Sequence, residues 1–442
     1  MIAKIKKSLI ATLFICTSLI SSPSNATPKI QHWVTDNGLA VYYVRVPELP
    51  MLDLRLTFDA GSARDGEKMG VAGLTTAMLD SGTKTMTADQ LAEAFESVGA
   101  EFSAGSARDM AWITLRTLTL AEEQKKAVAT WMDVLKNSTF PEKDFQRLIK
   151  QALVGLEAEK QSPAAIANKA FYKHLYGDHP YAKPQNGTEE TIKAMKVEDL
   201  KAYYARYFVA KNGQLALVGA IDRPQAEALA KQIANTLKAG EKAQAIPKVK
   251  PLERSKVVRI EFPSSQSHIL IGQAGSKRGD KDYFSLYLGN HGLGGSGFTS
   301  RLMKEVRVKR GLSYSVYSYF SPMRELGPFI LGLQTKNSQV DEAIQVAMDV
   351  VRTFQKEGVS EKQLQASKTN ITGGFPLRTA SNDDIIGYIA MIGFYGLPLN
   401  YLDTFTTTIN KISRDEVMDA FQRRLHPDKF LTIIVGKKIT SL

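Results

Sequence analysis

Residues 199–219 read DLKAYYARYFVAKNGQLALVG, and residues 416–436 read EVMDAFQRRLHPDKFLTIIVG. The two stretches align over 21 residues without a gap. Tyr204 falls on Phe421, Arg206 on Arg423 and Phe208 on Leu425, and Leu217-Val218-Gly219 falls on Ile434-Val435-Gly436. Each stretch predicts an amphipathic helix, a short turn and an apolar strand. A second match lies at nearly the same offset: Ala60-Gly61-Ser62-x-Arg64 falls on Ala274-Gly275-Ser276-x-Arg278. Each follows a strand-like run, LDLRLTFD from Leu52 and SHILIGQ from Ser267. Two matches at a shared spacing indicate an internal duplication.

The fold class that follows is α+β, with two tandem halves, each a mostly antiparallel sheet covered by helices. The halves are expected at 27–237 and 251–442. Between them, KAGEKAQAIPKVK (238–250) is charged, contains Gly and Pro, and lacks an apolar period, as an exposed linker does. At 442 residues the chain is too long for one ordinary core.

Residues 1–26 read as a signal peptide. Lys4, Lys6 and Lys7 precede an apolar run from Leu9 to Ile20, and Ser24-Asn25-Ala26 ends on small residues suited to cleavage after Ala26. The run is shorter than the roughly 20 residues of a membrane span, and no later segment approaches that length. An exported, periplasmic protein without membrane insertion is expected. Cys16, the only cysteine, lies within this leader, so the remaining chain has no disulfide and no Cys-based metal site or nucleophile. The formal charge is +12. No aromatic-plus-basic block stands out, so a solvated basic surface is favoured over a nucleic-acid partner.

Few residues offer chemistry. The six histidines form neither H-E-x-x-H nor H-x-x-E-H. His174 and His179 bracket YGD in YKHLYGDHPY and could hold a metal with Asp178, but a packed Tyr/His/Pro turn is the simpler reading. HGLGGSGFTSR from His291 is Gly-rich, yet Gly297 is followed by Phe298 rather than by the Lys of a phosphate loop. A flexible loop is expected there, with Ser300 capping a helix from about Arg301. RLMKEVRVKRGLSYSVYSYF (301–320) predicts a basic helix stopped at Gly311, then an alternating strand begun by Tyr314. Such a hairpin could bring Arg307 and Tyr314 to one surface, offering a guanidinium and a phenol to peptide carbonyls. From the residues alone, a wet Arg307 and a packed Tyr314 are an equal reading.

The last of these stretches resembles the second-half signature of the pitrilysin, insulinase and mitochondrial-processing-peptidase family. AGSARDG from Ala60, GVAGLTTAMLDSGT from Gly70, YGDHPY from Tyr176 and both helix–strand ends extend the resemblance over nearly the whole chain. It implies a duplicated α+β fold and an inverted-motif zinc peptidase. In catalytic members H-x-x-E-H stands where this chain has Gly73-Leu74-Thr75-Thr76-Ala77. Gly73 and Ala77 replace the two histidine ligands, and Thr76 replaces the glutamate that activates water. The third ligand, a glutamate, is expected near Val154, with Glu157 and Glu159 out of register, and Ser103 stands where an Asn is usual. Gly and Ala offer zinc no donor, and Thr is a poor one. The resemblance carries an Arg/Tyr pair onto Arg307 and Tyr314, and substrate contacts onto Gly294, Gly295, Ser296 and Gly297. It implies a zinc-less subunit, inactive alone and with no cofactor of its own. Its expected partners are peptide substrates and a homologous zinc-binding peptidase subunit, in a heterodimer. The alternative is a pseudo-peptidase that binds peptides or serves as a scaffold.

Overall fold

The computed structural model describes residues 29–438. The expected leader lies outside them. In the first half the strands are β1 (Gln31–Val34), β2 (Ala40–Arg45), β3 (Met51–Phe58), β4 (Glu101–Ser106), β5 (Ala111–Leu118) and β6 (Gly213–Gly219). They order as β1-β2-β6-β3-β5-β4. In the second half β7 (Lys256–Glu261), β8 (Gln266–Ala274), β9 (Val316–Phe320), β10 (Pro328–Lys336) and β11 (Leu431–Gly436) order as β7-β11-β8-β10-β9. Apart from the extra edge strand β1, the two orders are the same. β2 pairs parallel with β6, and β7 with β11. The other pairs are antiparallel. The fold is therefore the duplicated α+β arrangement that the repeat implies.

β5 alternates buried and half-buried residues, as a strand with one wetter face does. β6 and β11 are buried almost throughout. Such strands need cover on both faces, and here the cover comes from an exchange. The helix Asn382–Tyr395, from the second half, packs across β2, β3 and β6, while Pro163–Tyr176, from the first half, packs across β8 and β11. On β6, Leu215 and Leu217 belong to the core of their own half, and Ala216 and Val218 to the cluster holding Ile385, Ile386 and Ile389. On β11, Ile433 and Val435 share a cluster with Phe171 and Leu175. Gly393 fits where the exchanged helix meets β2: a Cβ there would lie 2.5 Å from the Tyr42 ring. Ile389 is fully buried under this helix. Ile389→Ala is expected to cost about 2–5 kcal/mol, read as a lowered denaturant midpoint; a loss under about 0.5 kcal/mol would show the exchanged helix to be dispensable cover.

The 238–250 connection is neither helix nor strand, but it is pinned. Ile246 and Val249 are buried, the Ala243 N–H donates to Asn212 Oδ1 (2.8 Å), and His179 Nε2 meets the Pro247 carbonyl (2.8 Å). Most of the segment is exposed, as expected of a linker, while its two β-branched apolar residues find cover.

A buried carboxylate also ties the halves. Asp109, in the turn between β4 and β5, accepts from the Tyr181 hydroxyl (2.5 Å), the Arg324 N–H (2.7 Å) and the Tyr395 hydroxyl (3.0 Å). Beside it, Arg108 donates to the carbonyls of Tyr181 (2.8 Å) and Lys183 (3.0 Å) and lies over the Tyr172 ring. No helix among the described residues is long and apolar enough to cross a membrane.

Candidate functional site

The first candidate region is the helix Val71–Ala77, which packs over β4. Leu74 within it, and Met78 and Leu79 just after it, are buried. Gly73 is half-buried and Ala77 exposed. Nothing in the packing requires glycine at 73: a Cβ there would find only Ser106 Oγ, 3.8 Å away. The Thr76 hydroxyl is buried and donates to its own helix, to the carbonyls of Gly73 (2.9 Å) and Ala72 (3.2 Å). Val154 is exposed, Glu157 is ion-paired with Lys160, and Glu159 is held by Lys169 and Asn186. Ser103 on β4 hydrogen-bonds Thr114 across the strand pair (2.6 Å). Among the described residues no three His, Cys, Asp or Glu side chains gather. The donors present at Gly73, Thr76 and Ala77 do not fit zinc, which needs three N, O or S ligands. His179 is tied into its turn, since its Nδ1 accepts from the Tyr181 N–H (3.1 Å) and Nε2 is at Pro247.

Asp65, the acid of AGSARDG, is the residue that sequence reasoning passed over. Buried at the start of this helix, its carboxylate accepts from the N–H groups of Gly70 (2.7 Å) and Ala72 (3.2 Å). Gly70 has φ of 96°, a conformation that favours glycine. Burial raises the Asp65 pKa to about 7, against the pull of those two N–H groups and of Lys183. The folded state thus holds this proton more tightly than the unfolded state. The stability it contributes is full below the ordinary carboxylate range and is lost as pH rises through about 7. Asp65→Asn is therefore expected to flatten the loss of stability between about pH 5 and pH 8, measured by urea unfolding at each pH. An unchanged slope would overturn this.

The second candidate region lies in the other half. The helix Tyr283–Asn290 runs straight into a π-helical turn, His291–Gly295. Gly292, Leu293 and Gly294 are buried there, so this part is packed structure rather than the flexible loop expected. A Cβ on Gly294 would lie 2.3 Å from Ser318 Oγ of β9, which sets its size. Gly295 and Gly297 are exposed and Ser296 half-buried. Ser300 Oγ accepts from the Met303 N–H (3.4 Å), capping the next helix as expected. Met303–Val308 of that helix is also π-helical, a distortion that recurs at functional sites.

Arg307 sits in this second π turn. Its guanidinium lies 4.5 Å from the Tyr314 ring centroid and 4.7 Å from that of Phe298. Tyr314 is 80% exposed and Phe298 66%. Two rings thus hold the guanidinium while its in-plane N–H groups make no protein hydrogen bond among the described residues. The pairing of Arg307 with Tyr314 is as the hairpin implies; the part played by Phe298 was not foreseen. Tyr314 does not begin the strand, which starts at Val316. Gly311, at φ of 61°, ends the helix by donating to the Arg307 carbonyl (2.9 Å). The Leu312 N–H returns to Val306 (2.9 Å) and Thr335 holds the Leu312 carbonyl (2.5 Å), so a bend must intervene before pairing.

Residues 41–189 match the insulinase domain of peptidase family M16, and residues 194–371 match the peptidase M16 inactive domain. A crystal structure of a peptidase M16 inactive domain from Pseudomonas fluorescens is 39% identical, covers 93% of this chain and 99% of that one, and superposes with a TM-score of 0.91. This chain belongs to peptidase family M16. A curated relative from Helicobacter pylori, named non-peptidase homolog YmxG, is 26% identical over 394 residues, 88% of this chain and 90% of that protein. The periplasmic protease PqqL of Escherichia coli is 16% identical with a TM-score of 0.81; it covers 95% of this chain and 46% of its own, and shows the fold alone. The M16 chain described here lacks H-x-x-E-H.

Proposed function

We propose that this M16 chain is the zinc-less subunit of a heterodimeric zinc peptidase. The observation that carries the reading is the Arg307 guanidinium, held between Phe298 and Tyr314 on an exposed surface, with no hydrogen bond to its N–H groups among the described residues. A fork held in this way suits a peptide carbonyl. Tyr314 would offer its hydroxyl to the carbonyl oxygen that gains charge during hydrolysis. Gly295, Ser296 and Gly297 would border the substrate, and Gly294 would set the turn they sit on. The homologous partner would hold the zinc, and an extended peptide would add to a sheet edge. Residues 1–26 favour export to the periplasm, and the halves are assigned to 27–237 and 251–442.

The chain purified alone is expected to contain no stoichiometric zinc by elemental analysis and to cleave no peptide. Cleavage should appear when an M16 partner bearing H-x-x-E-H is added. Stoichiometric zinc in the lone chain would sink the reading. The name of the Helicobacter pylori relative favours a second reading, a pseudo-peptidase acting as a peptide-binding or structural scaffold. It predicts no gain of cleavage with any partner.

A further inference from the structure

A cavity of about 890 Å³ opens beside the Gly-rich turn, between that turn and the helix Glu361–Gly373. Gly295 and Ser296 are part of its wall. Lys304, Lys362 and Arg378 line it, and no Asp or Glu does. Their neighbours Lys309 and Arg310 are ion-paired with Glu305 at 2.6 Å and 2.8 Å. Lys304, Lys362 and Arg378 pair with no carboxylate among the described residues. Arg378 is oriented instead by the Tyr287 hydroxyl, 2.8 Å away. His291 is fixed in the wall by Ser367 (2.9 Å) and Asn370 (3.0 Å).

Three cations on the wall of one concave space, with no carboxylate partner among the described residues, raise its potential, and an anion lowers it. A concave wall of one sign also focuses the field on whatever enters. We infer that this cavity receives the carboxylate side chains of an acidic peptide. The inference rests on the peptide-binding reading above, because the wall shares Gly295 and Ser296 with the proposed substrate path. That continuity favours a chain-borne carboxylate over a free ion. It also gives the basic surface a specific use: selection of acidic stretches next to the cleaved bond.

The test uses the full chain without a partner. Fluorescence anisotropy would compare labelled peptides of alternating Glu and Gly, Gln and Gly, and Lys and Gly. The Glu peptide is expected to bind about tenfold tighter than the Gln peptide, and the preference should fall with added salt. Lys362→Gln combined with Arg378→Gln should abolish it; both residues are exposed, and an unchanged thermal midpoint would confirm folding. Lys143→Gln combined with Lys150→Gln, an equal loss of exposed charge outside the cavity, should leave the preference in place. Equal binding of Glu and Gln peptides, or a preference that survives the double substitution, overturns the inference. Displacement of the peptide by an equal concentration of inorganic phosphate would reassign the cavity to a simple anion and also overturn it. A preserved Glu preference in a chain that gains no cleavage with any partner supports the cavity while refuting the peptidase role.

Discussion

Tyr314→Phe in the proposed heterodimer is expected to lower kcat by about 10²–10³, and Arg307→Ala to raise KM with a smaller loss of kcat, with neither releasing the subunits. The size follows from what each group would do. A donor aimed at charge that develops only in the transition state acts on kcat, whereas a donor to an uncharged carbonyl acts mainly on KM. Tyr314 should therefore move kcat more cleanly than Arg307, which in the proposed role would hold a substrate carbonyl away from the scissile bond. Neither change should unfold the protein, because Tyr314 is exposed and Arg307 forms no ion pair among the described residues. Phe298→Ala removes one face of the stack, worth about 0.5–1 kcal/mol at an exposed site, and should cost only a few-fold in turnover. Steady-state kinetics with size-exclusion chromatography would separate these effects. Turnover unchanged by both substitutions would leave the chain a scaffold.

Asp109→Ala is expected to cost about 3–5 kcal/mol, because it strands two hydroxyls and one backbone N–H away from water. Burial first, and then the charge of Asp109, push the Tyr181 and Tyr395 hydroxyls far above the ordinary phenol range. Both therefore stay protonated and serve as donors. Tyr181→Phe and Tyr395→Phe each remove one donor from a carboxylate that keeps others, and should cost about 1 kcal/mol apiece. Urea unfolding of the three variants would test this order. A loss below 1 kcal/mol for Asp109→Ala would show that the halves do not depend on it.

The duplication was legible because β6 and β11 are central strands, buried on both faces and so apolar throughout. The exchange of helices was not, since an amphipathic pattern marks a buried face without naming what buries it. The Arg307–Tyr314 meeting was legible from a helix, a glycine stop and an alternating run. The start of β9 was misplaced by two residues because the alternation continues through the bend that anchors Leu312. Phe298 was weighed only as the residue that spoils a phosphate loop, and its stacking depends on two π turns that no periodicity reveals. Asp109 ends the stretch FSAGSARD (102–109), but its side-chain partners Tyr181 and Tyr395 are 72 and 286 residues away, beyond the reach of any local pattern.

The traded helices have a consequence for how the polypeptide comes apart. Each sheet carries a piece of the opposite half as its lid, so neither half made alone could close its own interior. A protease nick near residue 240 would sever the backbone yet leave both fragments interlocked. They would run as one particle on a sizing column and separate only when the whole molecule melts.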